Sequence, residues 1–371
     1  MTYGQGGIQS LLARLNADGT LDDSFGTGGY AYIPWAGAGT YGTELTKQVV
    51  NDEELFVVAG SAPCGNRSCL RVERFTNTGD ADTTFGTAGS TSVSVEYPRA
   101  VTVQPIDQKI VIVNGVGEVV RLLASGIADS SFGSGGVSRV SGLGFLGVTV
   151  TSTGRILACG RTTSGRLDFA VVRLNSNGSL DNGGTNDSTP GDWFGVGGKA
   201  LTDFNGYTEE AYSVITDSLD RVIASGQAQM GGSANSNFNA VLVRYLANGQ
   251  LDTSFGIGGK TWLDIGNRQD LFTTLALQSD GKIVATGEGR YYDTAFAADM
   301  LTARYNEDGT IDTTFGGSGW VMLDGVGFYD QARSLLMQPD PTCEGCEKIV
   351  VTGGAGTANT TTQAMVVRYQ K

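Results

Sequence analysis

The sequence predicts an all-β fold, a β-propeller built from four-stranded antiparallel blades. Three observations predict it: one segment with arginine, glycine, aspartate and phenylalanine at fixed positions recurs six times, each unit holds four short strand-like runs, and no useful helical periodicity competes. Glycine, at 56 of 371 residues, is about twice as frequent as usual, which suits many tight turns. A chain of this length can also bury a sizeable core.

The recurring segment reads R-x-N-x-D-G-x-L-D-x-x-F-G-x-x-G in its fullest form. Copies begin at Arg14, Arg74, Arg121, Arg173, Arg244 and Arg304. The copy from Arg173 carries an insertion before its phenylalanine, and a seventh arginine strand reaches Arg368. This spacing indicates a supersecondary unit that stacks on its neighbours.

Each unit contains four runs: a short one after the F-G-x-x-G turn, one after a variable loop, a highly apolar one, and the arginine strand. The apolar run is closed by a glycine in every unit, at Gly60, Gly115, Gly160, Gly226, Gly287 and Gly353. Its continuous apolar character predicts burial on both faces, between neighbouring sheets.

Six units from Tyr30 to Arg368 predict a single domain over residues 1–371 with six blades; seven blades are the alternative. Residues 1–14 then hold one arginine strand in excess, Leu11 to Arg14. This strand is expected to pair with the closing blade or to dock on a neighbouring subunit, which would build head-to-tail assemblies.

The motif resembles the delta-60 repeat of large bacterial proteins, most of which look secreted or surface-bound. The resemblance covers nearly the whole chain, in six complete copies and one further strand. It implies a propeller-like repeat fold and an extracellular or cell-surface location. It implies no particular activity, since the family is largely without one.

The motif arginine and an aspartate eight residues later are expected to pair, because the glycine between them supplies the positive φ of a tight turn. The predicted structural pairs are Arg14–Asp22, Arg74–Asp82, Arg121–Asp129, Arg173–Asp181, Arg244–Asp252 and Arg304–Asp312. The motif phenylalanines are expected to anchor the core between blades.

The alternative use of these aspartates is a calcium site of the form D-x-x-x-D, as in Asp18–Asp22 and Asp308–Asp312. The other copies lack the first carboxylate, whereas calcium prefers several oxygen ligands. The sequence therefore predicts no metal and no other cofactor, with calcium as the minor alternative.

The five cysteines favour an oxidising compartment. Cys64 and Cys69 form one local pair and Cys343 and Cys346 another, while Cys159 lies alone in an apolar strand. Such pairs are typical of loop disulfides and predict an extracellular or cell-surface location for a chain whose leader is not in this sequence. A shared zinc site is the rival interpretation, but strand alternation places the two pairs on opposite faces.

The composition of the chain limits the classes of partner that it could bind. With 38 acidic and 25 basic residues, the formal charge of −13 argues against nucleic acid and against an anionic membrane. No apolar stretch is long enough for membrane insertion. Histidine is absent, which removes the base of a catalytic triad and the imidazole metal ligand, and the sequence leans away from an enzyme.

One set of loops pairs an aromatic residue with an acid and is a candidate ligand-binding face. Its members are Tyr41, Glu44, Glu96, Tyr97, Tyr207, Glu209, Asp270, Tyr329 and Asp330. A ring of carboxylates and aromatic side chains could contact a sugar or a cation; the simpler interpretation is a solvated rim.

These observations together predict a non-catalytic extracellular or cell-surface propeller for structure or interaction, with self-assembly head to tail as an open possibility. Its partner would be a protein, including a second copy, or a glycan. The alternative is a propeller that binds or cleaves carbohydrate through the acidic and aromatic loops, which would require two carboxylates at a defined separation.

Overall fold

Strands make up the regular structure of the part of the chain that the computed structural model describes, with no helix among them. The described residues are 10–35, 41–64, 67–184, 187, 189, 191–204, 206–231, 238–266, 269–290, 298–325, 329–343, 346–356 and 363–369, without the side chains of 41–43 and 329. Accordingly, no described segment is a helix long and apolar enough to cross a membrane.

The strands group into blades in chain order. A two-stranded sheet comes first, with β1 (Leu11–Ala13) and β2 (Tyr30–Tyr32). Blade 1 holds β3 (Tyr41–Val50), β4 (Glu53–Cys64), β5 (Arg67–Phe75) and β6 (Ser90–Val93). Blade 2 holds β7 (Pro98–Val103), β8 (Ile110–Asn114), β9 (Glu118–Leu122) and β10 (Val137–Arg139). Blade 3 holds β11 (Leu143–Val150), β12 (Ile156–Thr162), β13 (Phe169–Leu174) and β14 (Lys199–Thr202).

The later blades follow the same order. Blade 4 holds β15 (Glu209–Thr216), β16 (Val222–Gln229), β17 (Phe238–Tyr245) and β18 (Lys260–Leu263). Blade 5 holds β19 (Gln269–Leu277), β20 (Ile283–Arg290), β21 (Ala298–Tyr305) and β22 (Trp320–Leu323). Blade 6 holds β23 (Tyr329–Pro339), β24 (Glu347–Gly356) and β25 (Gln363–Tyr369), and a single parallel bridge joins β23 to β21.

The predicted all-β propeller architecture is confirmed, with four antiparallel strands in each of blades 1 to 5, three in the described part of blade 6, and extra strand structure at the N-terminus. The blade boundary differs from the sequence unit by one strand. The short run after each F-G-x-x-G turn pairs with the preceding arginine strand, as β18 does with β17. The motif is therefore a hairpin inside a blade, and the loop that follows the short strand connects one blade to the next.

In blades 1 to 5 the second strand is largely buried, as its apolar sequence predicts, and so is the third strand, of which β13 is buried throughout. All five residues of β8 are buried, and in blade 4 the first five of β16 are buried. The cores lie between neighbouring sheets. Between blades 1 and 2, Val57 and Leu70 pack with Ile110 and Ile112.

The described chain divides into two compact units, and each is considered by itself below. Unit 1 comprises residues 1–158 and 174–179, and unit 2 comprises residues 159–173 and 180–371. Within unit 2, Leu242 and Phe255 of blade 4 share a core with Phe272 and Ile283 of blade 5.

Candidate functional site

The motif hairpins bring every motif arginine against its aspartate. In each case the Nε–H donates to the Oδ2 atom of the aspartate eight residues on, at 2.5 to 2.8 Å. The pairs are Arg14–Asp22, Arg74–Asp82, Arg121–Asp129, Arg173–Asp181, Arg244–Asp252 and Arg304–Asp312. Five arginines are nearly inaccessible, and only Arg14 is about one-third exposed.

The second oxygen of the motif carboxylate holds the turn. In the hairpin of blade 4, Oδ1 of Asp252 accepts from the backbone N–H of Ser254 at 3.1 Å and from its hydroxyl at 2.6 Å. Burial alone would raise the pKa of Asp129, but hydrogen bonds from Ser131 and the charge of Arg121 lower it to about 2. The carboxylate is therefore ionised, and besides its bonds within the hairpin it contacts the Lys109 ammonium at 3.3 Å.

Every motif arginine stacks on its own phenylalanine, and the first five also donate to a carbonyl of the next hairpin. Arg74 donates from NH1 to the carbonyl of Ala124 at 2.6 Å, and its guanidinium carbon lies 4.8 Å from the centroid of Phe85. Gly126 of the next hairpin also packs against the Phe85 ring, which a Cβ atom at that glycine would approach within 2.7 Å. The phenylalanine thus contacts both a cation and a glycine, which the sequence did not indicate.

The candidate calcium position serves the turn as well. Oδ1 of Asp18 accepts from the backbone N–H of Thr20 at 2.9 Å, and Asp308 does the same with Thr310. Asn177 makes the equivalent bond to Ser179 with an amide oxygen. An uncharged side chain that fills the same role explains why the first acid of D-x-x-x-D varies between copies.

Both local cysteine pairs are joined as disulfides. Cys64 and Cys69 have Cα atoms 5.8 Å apart, and those of Cys343 and Cys346 are 5.4 Å apart. Cys159 is buried in β12 and belongs to neither disulfide.

The predicted ligand-binding acids of unit 2 face the backbone of their own loops. Asp270 and Asp330 each accept a hydrogen bond from the backbone N–H five residues earlier, from Ile265 at 2.7 Å and from Gly325. Glu209 is fully inaccessible. Burial raises its pKa to about 7, and the nearby carboxylates of Asp203 and Asp168 act in the same direction.

The remaining predicted ligand-binding residues are dispersed. In unit 1, Oε2 of Glu44 accepts from the Val101 N–H at 2.8 Å. Glu96 is half-buried, and Tyr97 is 57% exposed. In unit 2, Tyr207 lies beneath the Arg166 guanidinium at 5.6 Å. The side chains of Tyr41 and Tyr329 lie outside the described set.

The glycine predicted to close each second strand lies inside that strand in every blade but blade 2, because the strand continues past it. In blades 1, 4, 5 and 6 this glycine lies opposite a β-bulge in the first strand. In blade 4 the register shifts between Ala211 and Ser213, opposite Gly226, where a Cβ atom would meet the Glu210 carbonyl oxygen at 1.8 Å. Bulges turn one extra side chain out of the alternating pattern, here that of Tyr212. The same register shift between the first and second strands occurs in blades 5 and 6.

Polar side chains from the bulges and from the residues that follow these glycines lie together in unit 2. We call this group of side chains the arginine–glutamate network. Its members are Arg161, Glu210, Tyr212, Gln227, Glu288, Arg290, Gln331 and Arg333. They come from the first or second strands of four consecutive blades, within unit 2. None of them belongs to the motif.

The first half of the network surrounds Glu210. Its Oε1 contacts the guanidinium of Arg161, and its Oε2 accepts from the Tyr212 hydroxyl and, at 3.1 Å, from the Gln227 amide. Burial raises the pKa of Tyr212, while the charges of Arg161 and Arg290 oppose that shift. Tyr212 therefore lies within electrostatic reach of both arginines.

The second half surrounds Glu288. Its Oε1 accepts from Arg290 at 2.8 Å and its Oε2 from the Gln331 amide at 2.9 Å, and Arg333 in turn donates to Gln331. The carboxylates are covered while their arginines are not: the Glu288 side chain is 3% exposed and that of Arg290 39%. The same contrast holds for Glu210 and Arg161, at 11% and 43%.

Sequence reasoning missed this network because it searched for features that recur. The signal was the residue after the recurring glycine of the second strand, which is charged or amide-bearing only in blades 3 to 5, as Arg161, Gln227 and Glu288. Blades 1 and 2 of unit 1 have Ser61 and Val116 there. Variation at this position, within an otherwise regular repeat, was the signal that could have indicated the network.

Comparison with known proteins supports a β-propeller repeat family. A family model described as a domain of unknown function (DUF5122), β-propeller, matches residues 2–25, 151–183, 222–255 and 278–315. The matched segments include four of the six motif copies. A search of the curated proteins finds no match.

Solved structures with the same kind of fold are distant in sequence. Two crystal structures of Sqt1 from Chaetomium thermophilum match with TM-scores of 0.50, at 13% and 14% identity, over 93% of this chain and 75% and 74% of theirs. A subtype N11 neuraminidase-like protein of A/flat-faced bat/Peru/033/2010 (H18N11) matches at 11% identity with a TM-score of 0.45, over 98% of this chain and 93% of that one. At such identities the likeness extends to the fold alone.

Proposed function

We propose that this chain is a non-catalytic binding module that acts outside the cell or on its surface. The observation that carries the proposal is a difference between two sets of charged residues, those of the motif and those of the network. The recurrent arginines and aspartates are paired with one another in the motif hairpins, and most are buried. The residues of the arginine–glutamate network occur in only some of the blades, and their arginines are partly exposed. In a repeat protein, a cluster of semi-exposed polar groups found in some blades and not in others suits recognition.

Binding suits the network better than catalysis. Cleavage of a glycosidic bond needs one carboxyl group to donate a proton and another to act as nucleophile or base. All four carboxylate oxygens of Glu210 and Glu288 already have partners in arginine, tyrosine or glutamine side chains. These groups hold the arginines in place and are not presented to a substrate.

The extracellular location is supported by the two disulfides, since such bonds persist in oxidising compartments. We expect protein denatured without reductant to take up a thiol-alkylating agent at Cys159 only, one adduct by intact mass. After reduction the count should rise to five. Five adducts before reduction would contradict an oxidised, exported chain.

The binding function is tested with a panel of D-glucose, N-acetyl-D-glucosamine and D-glucuronate, together with their nitrophenyl glycosides. We expect at least one of the free sugars to shift the NMR signals of the network residues, while no nitrophenol is released. Release of nitrophenol that is abolished by Glu210→Gln would replace binding with catalysis. Absence of any shift across the panel would remove glycan binding as the function.

Self-association is a second candidate, favoured by the last described strand. β25 occupies the position of β17, yet within described unit 2 it pairs on one side only, with β24. Its residues alternate between exposed and half-buried, whereas those of β17 are buried almost throughout. An open edge of this kind recruits further strands. Light scattering before and after removal of residues 1–12 tests it, and an unchanged oligomer would argue against the N-terminal strand as the recruited partner.

A further inference from the structure

The Cys343–Cys346 disulfide lies at the surface of unit 2, in the loop that joins the first and second strands of blade 6. The two cysteines are separated by two residues, and their Cα atoms are 5.4 Å apart. Cys343 is exposed and Cys346 is half-buried. Thiol–disulfide exchange requires that an external thiolate reach one of the sulfur atoms, and a C-x-x-C pair at a surface meets this requirement.

A groove of about 420 Å³ opens beside this disulfide. Both cysteines line it, together with Pro339, Pro341 and two acidic residues. Its volume is within the range of sites that bind small molecules. A thiol can therefore be held against the disulfide by a concave surface, which a disulfide on a flat surface would not offer.

The loop is also held by bonds that do not involve the sulfur atoms. The Asp340 N–H donates to the Cys346 carbonyl at 2.8 Å, and the Cys343 N–H donates to the Asp340 carbonyl at 3.2 Å. Oδ1 of Asp340 accepts from the N–H and the hydroxyl of Thr342, at 3.1 and 2.7 Å. Cleavage of the disulfide therefore leaves the loop closed, and the two thiols stay close enough for the reverse reaction.

The Cys64–Cys69 disulfide differs in the cysteine that exchange would release. Cys64 is exposed, but Cys69 lies in β5 and is only 8% exposed. Attack on an exposed sulfur releases the other cysteine as a thiolate, and apolar burial disfavours that charge. Exchange at Cys64–Cys69 would place the thiolate inside the protein, whereas exchange at Cys343–Cys346 would place it beside the groove.

The charge of the groove distinguishes between thiols. Its two acidic residues are Asp340 and Glu347. Hydrogen bonds from Thr342 lower the pKa of Asp340 to about 2, and the Lys348 ammonium acts in the same direction from 3.2 Å. Two acidic side chains near one cation, on a chain with a formal charge of −13, attract a thiol that carries positive charge and repel one that carries negative charge.

We propose that Cys343–Cys346 is an exchangeable disulfide that oxidises the thiols of basic, cysteine-containing peptides. A peptide thiolate attacks Sγ of Cys343, the bond between the two protein sulfurs breaks, and Cys346 leaves as a thiolate that takes a proton from water. A second peptide thiolate attacks the resulting mixed disulfide, which forms the peptide disulfide and releases Cys343, again protonated by water.

Two electrons pass from the two peptide thiols to the protein disulfide, and no other oxidant takes part. One disulfide is transferred per chain, so the exchange is stoichiometric and reversible. The site is separate from the arginine–glutamate network. Ligand binding at the network can therefore succeed or fail without any effect on this inference.

The test follows the cysteines of the folded full chain after addition of a short reduced peptide with two cysteines and two lysines. Samples are alkylated at successive times, digested and analysed by mass spectrometry, which gives the rate at which each disulfide opens. We expect Cys343–Cys346 to open at least tenfold faster than Cys64–Cys69, with one peptide disulfide formed per chain. Equal rates, or faster opening of Cys64–Cys69, would overturn the inference.

The matched control is the double variant Cys64→Ser/Cys69→Ser, which should oxidise the peptide at a rate within twofold of the wild type. The double variant Cys343→Ser/Cys346→Ser should lose peptide oxidation at least tenfold while keeping the melting temperature within a few degrees, because the loop bonds remain. Oxidation that survives in this second variant would place the exchange elsewhere and overturn the inference.

The attacked sulfur is identified with the single variants Cys346→Ser and Cys343→Ser, each offered the peptide in its disulfide form. Cys346→Ser should form the mixed disulfide at Cys343 at least tenfold faster than Cys343→Ser forms it at Cys346, since Cys343 is the exposed cysteine. Faster capture at Cys346 would contradict the proposed order of steps.

Selection by charge is tested with the same reduced peptide in which glutamates replace the two lysines. We expect the lysine peptide to react at least threefold faster at low ionic strength, and the difference to shrink when salt is added. Equal rates for the two peptides at low ionic strength would overturn basic peptides as the substrate class.

Discussion

The motif hairpins and the arginine–glutamate network both depend on arginine–carboxylate pairs, but they lie at opposite ends of the blade. In blade 4, Arg244 is near the end of β17, whereas Gln227 pairs with Ala240 near its start. The Arg244 side chain is 3% exposed and that of Asp252 8%, while the network arginines are about 40% exposed. The same kind of ion pair therefore has an enclosed cation in the hairpins and a partly exposed cation in the network.

The largest effect is expected from Arg244→Ala. It removes the ion pair with Asp252, the bond to the Glu307 carbonyl and the stacking on Phe255, and it leaves a buried carboxylate without its cation. We expect a loss of about 3–5 kcal/mol in the free energy of unfolding by urea denaturation.

Arg14→Ala is its matched control, because the same motif pair is partly solvated there, at 31% and 24%. We expect a loss of about 1 kcal/mol in the free energy of unfolding, because solvent already weakens that pair. Equal losses in the two variants would show that burial does not determine the strength of the motif pair.

The next effect concerns the glycine of the hairpin. Gly249 has φ of +80°, and an added Cβ atom would meet the Gly195 nitrogen at 2.5 Å and the Phe194 ring at 3.0 Å. Gly249→Ala should cost about 2–4 kcal/mol in unfolding free energy, from left-handed strain and overpacking together.

Gly19 separates backbone strain from overpacking, because its φ is +91° and nothing lies within 4 Å of an added Cβ atom. Gly19→Ala should cost about 1 kcal/mol. If it costs as much as Gly249→Ala, backbone conformation and not stacking on the phenylalanine would be what selects glycine.

A third prediction follows from Glu209, whose pKa is raised from 4.5 to about 7 in the folded chain. Between these values the unfolded chain ionises first, so the protonated carboxyl stabilises the fold below pH 4.5 and that stabilisation is lost as the pH rises through 7. Glu209→Gln stays neutral. Its stability relative to the wild type should therefore increase by about 2–3 kcal/mol between pH 4 and pH 8, measured by urea denaturation. A difference that is constant with pH would contradict a raised pKa.

The smallest effect is expected in the network. Arg333→Gln should change the free energy of unfolding by less than about 0.5 kcal/mol, because the side chain is exposed and its contact is with a neutral amide. The difference between this loss and the loss in Arg244→Ala measures how much more the motif pairs contribute to stability than the network does. A loss above about 2 kcal/mol would show that the network, too, serves mainly the fold.

The sequence predicted the repeated parts well because they obey local rules. The fixed spacing of arginine, glycine and aspartate indicated the hairpin, and the apolar run before each glycine indicated the buried second strand. The offset of blade and unit by one strand could not be read, because pairing partners depend on which strands meet in space. The fourth strand β18 is closer in sequence to β19 than to its actual partner, β17.

The candidate site was harder to predict. Glu209, Asp270 and Asp330 were expected at a ligand face, but short polar side chains next to a turn also accept bonds from its N–H groups, and Asp270 and Asp330 do so here. The network depends on bulges that turn Tyr212 and Arg333 out of register. A bulge shifts a side chain from one face to the other, which alternation along a strand cannot anticipate.

The most direct test of the account is a double-mutant cycle on the enclosed pair, with Arg244→Ala, Asp252→Ala and both together. If the hairpin is fixed by a buried ion pair, the coupling free energy from urea denaturation should be about 2–3 kcal/mol. A coupling near zero would mean that the two side chains contribute independently, and would contradict the motif pair as the element that holds each blade.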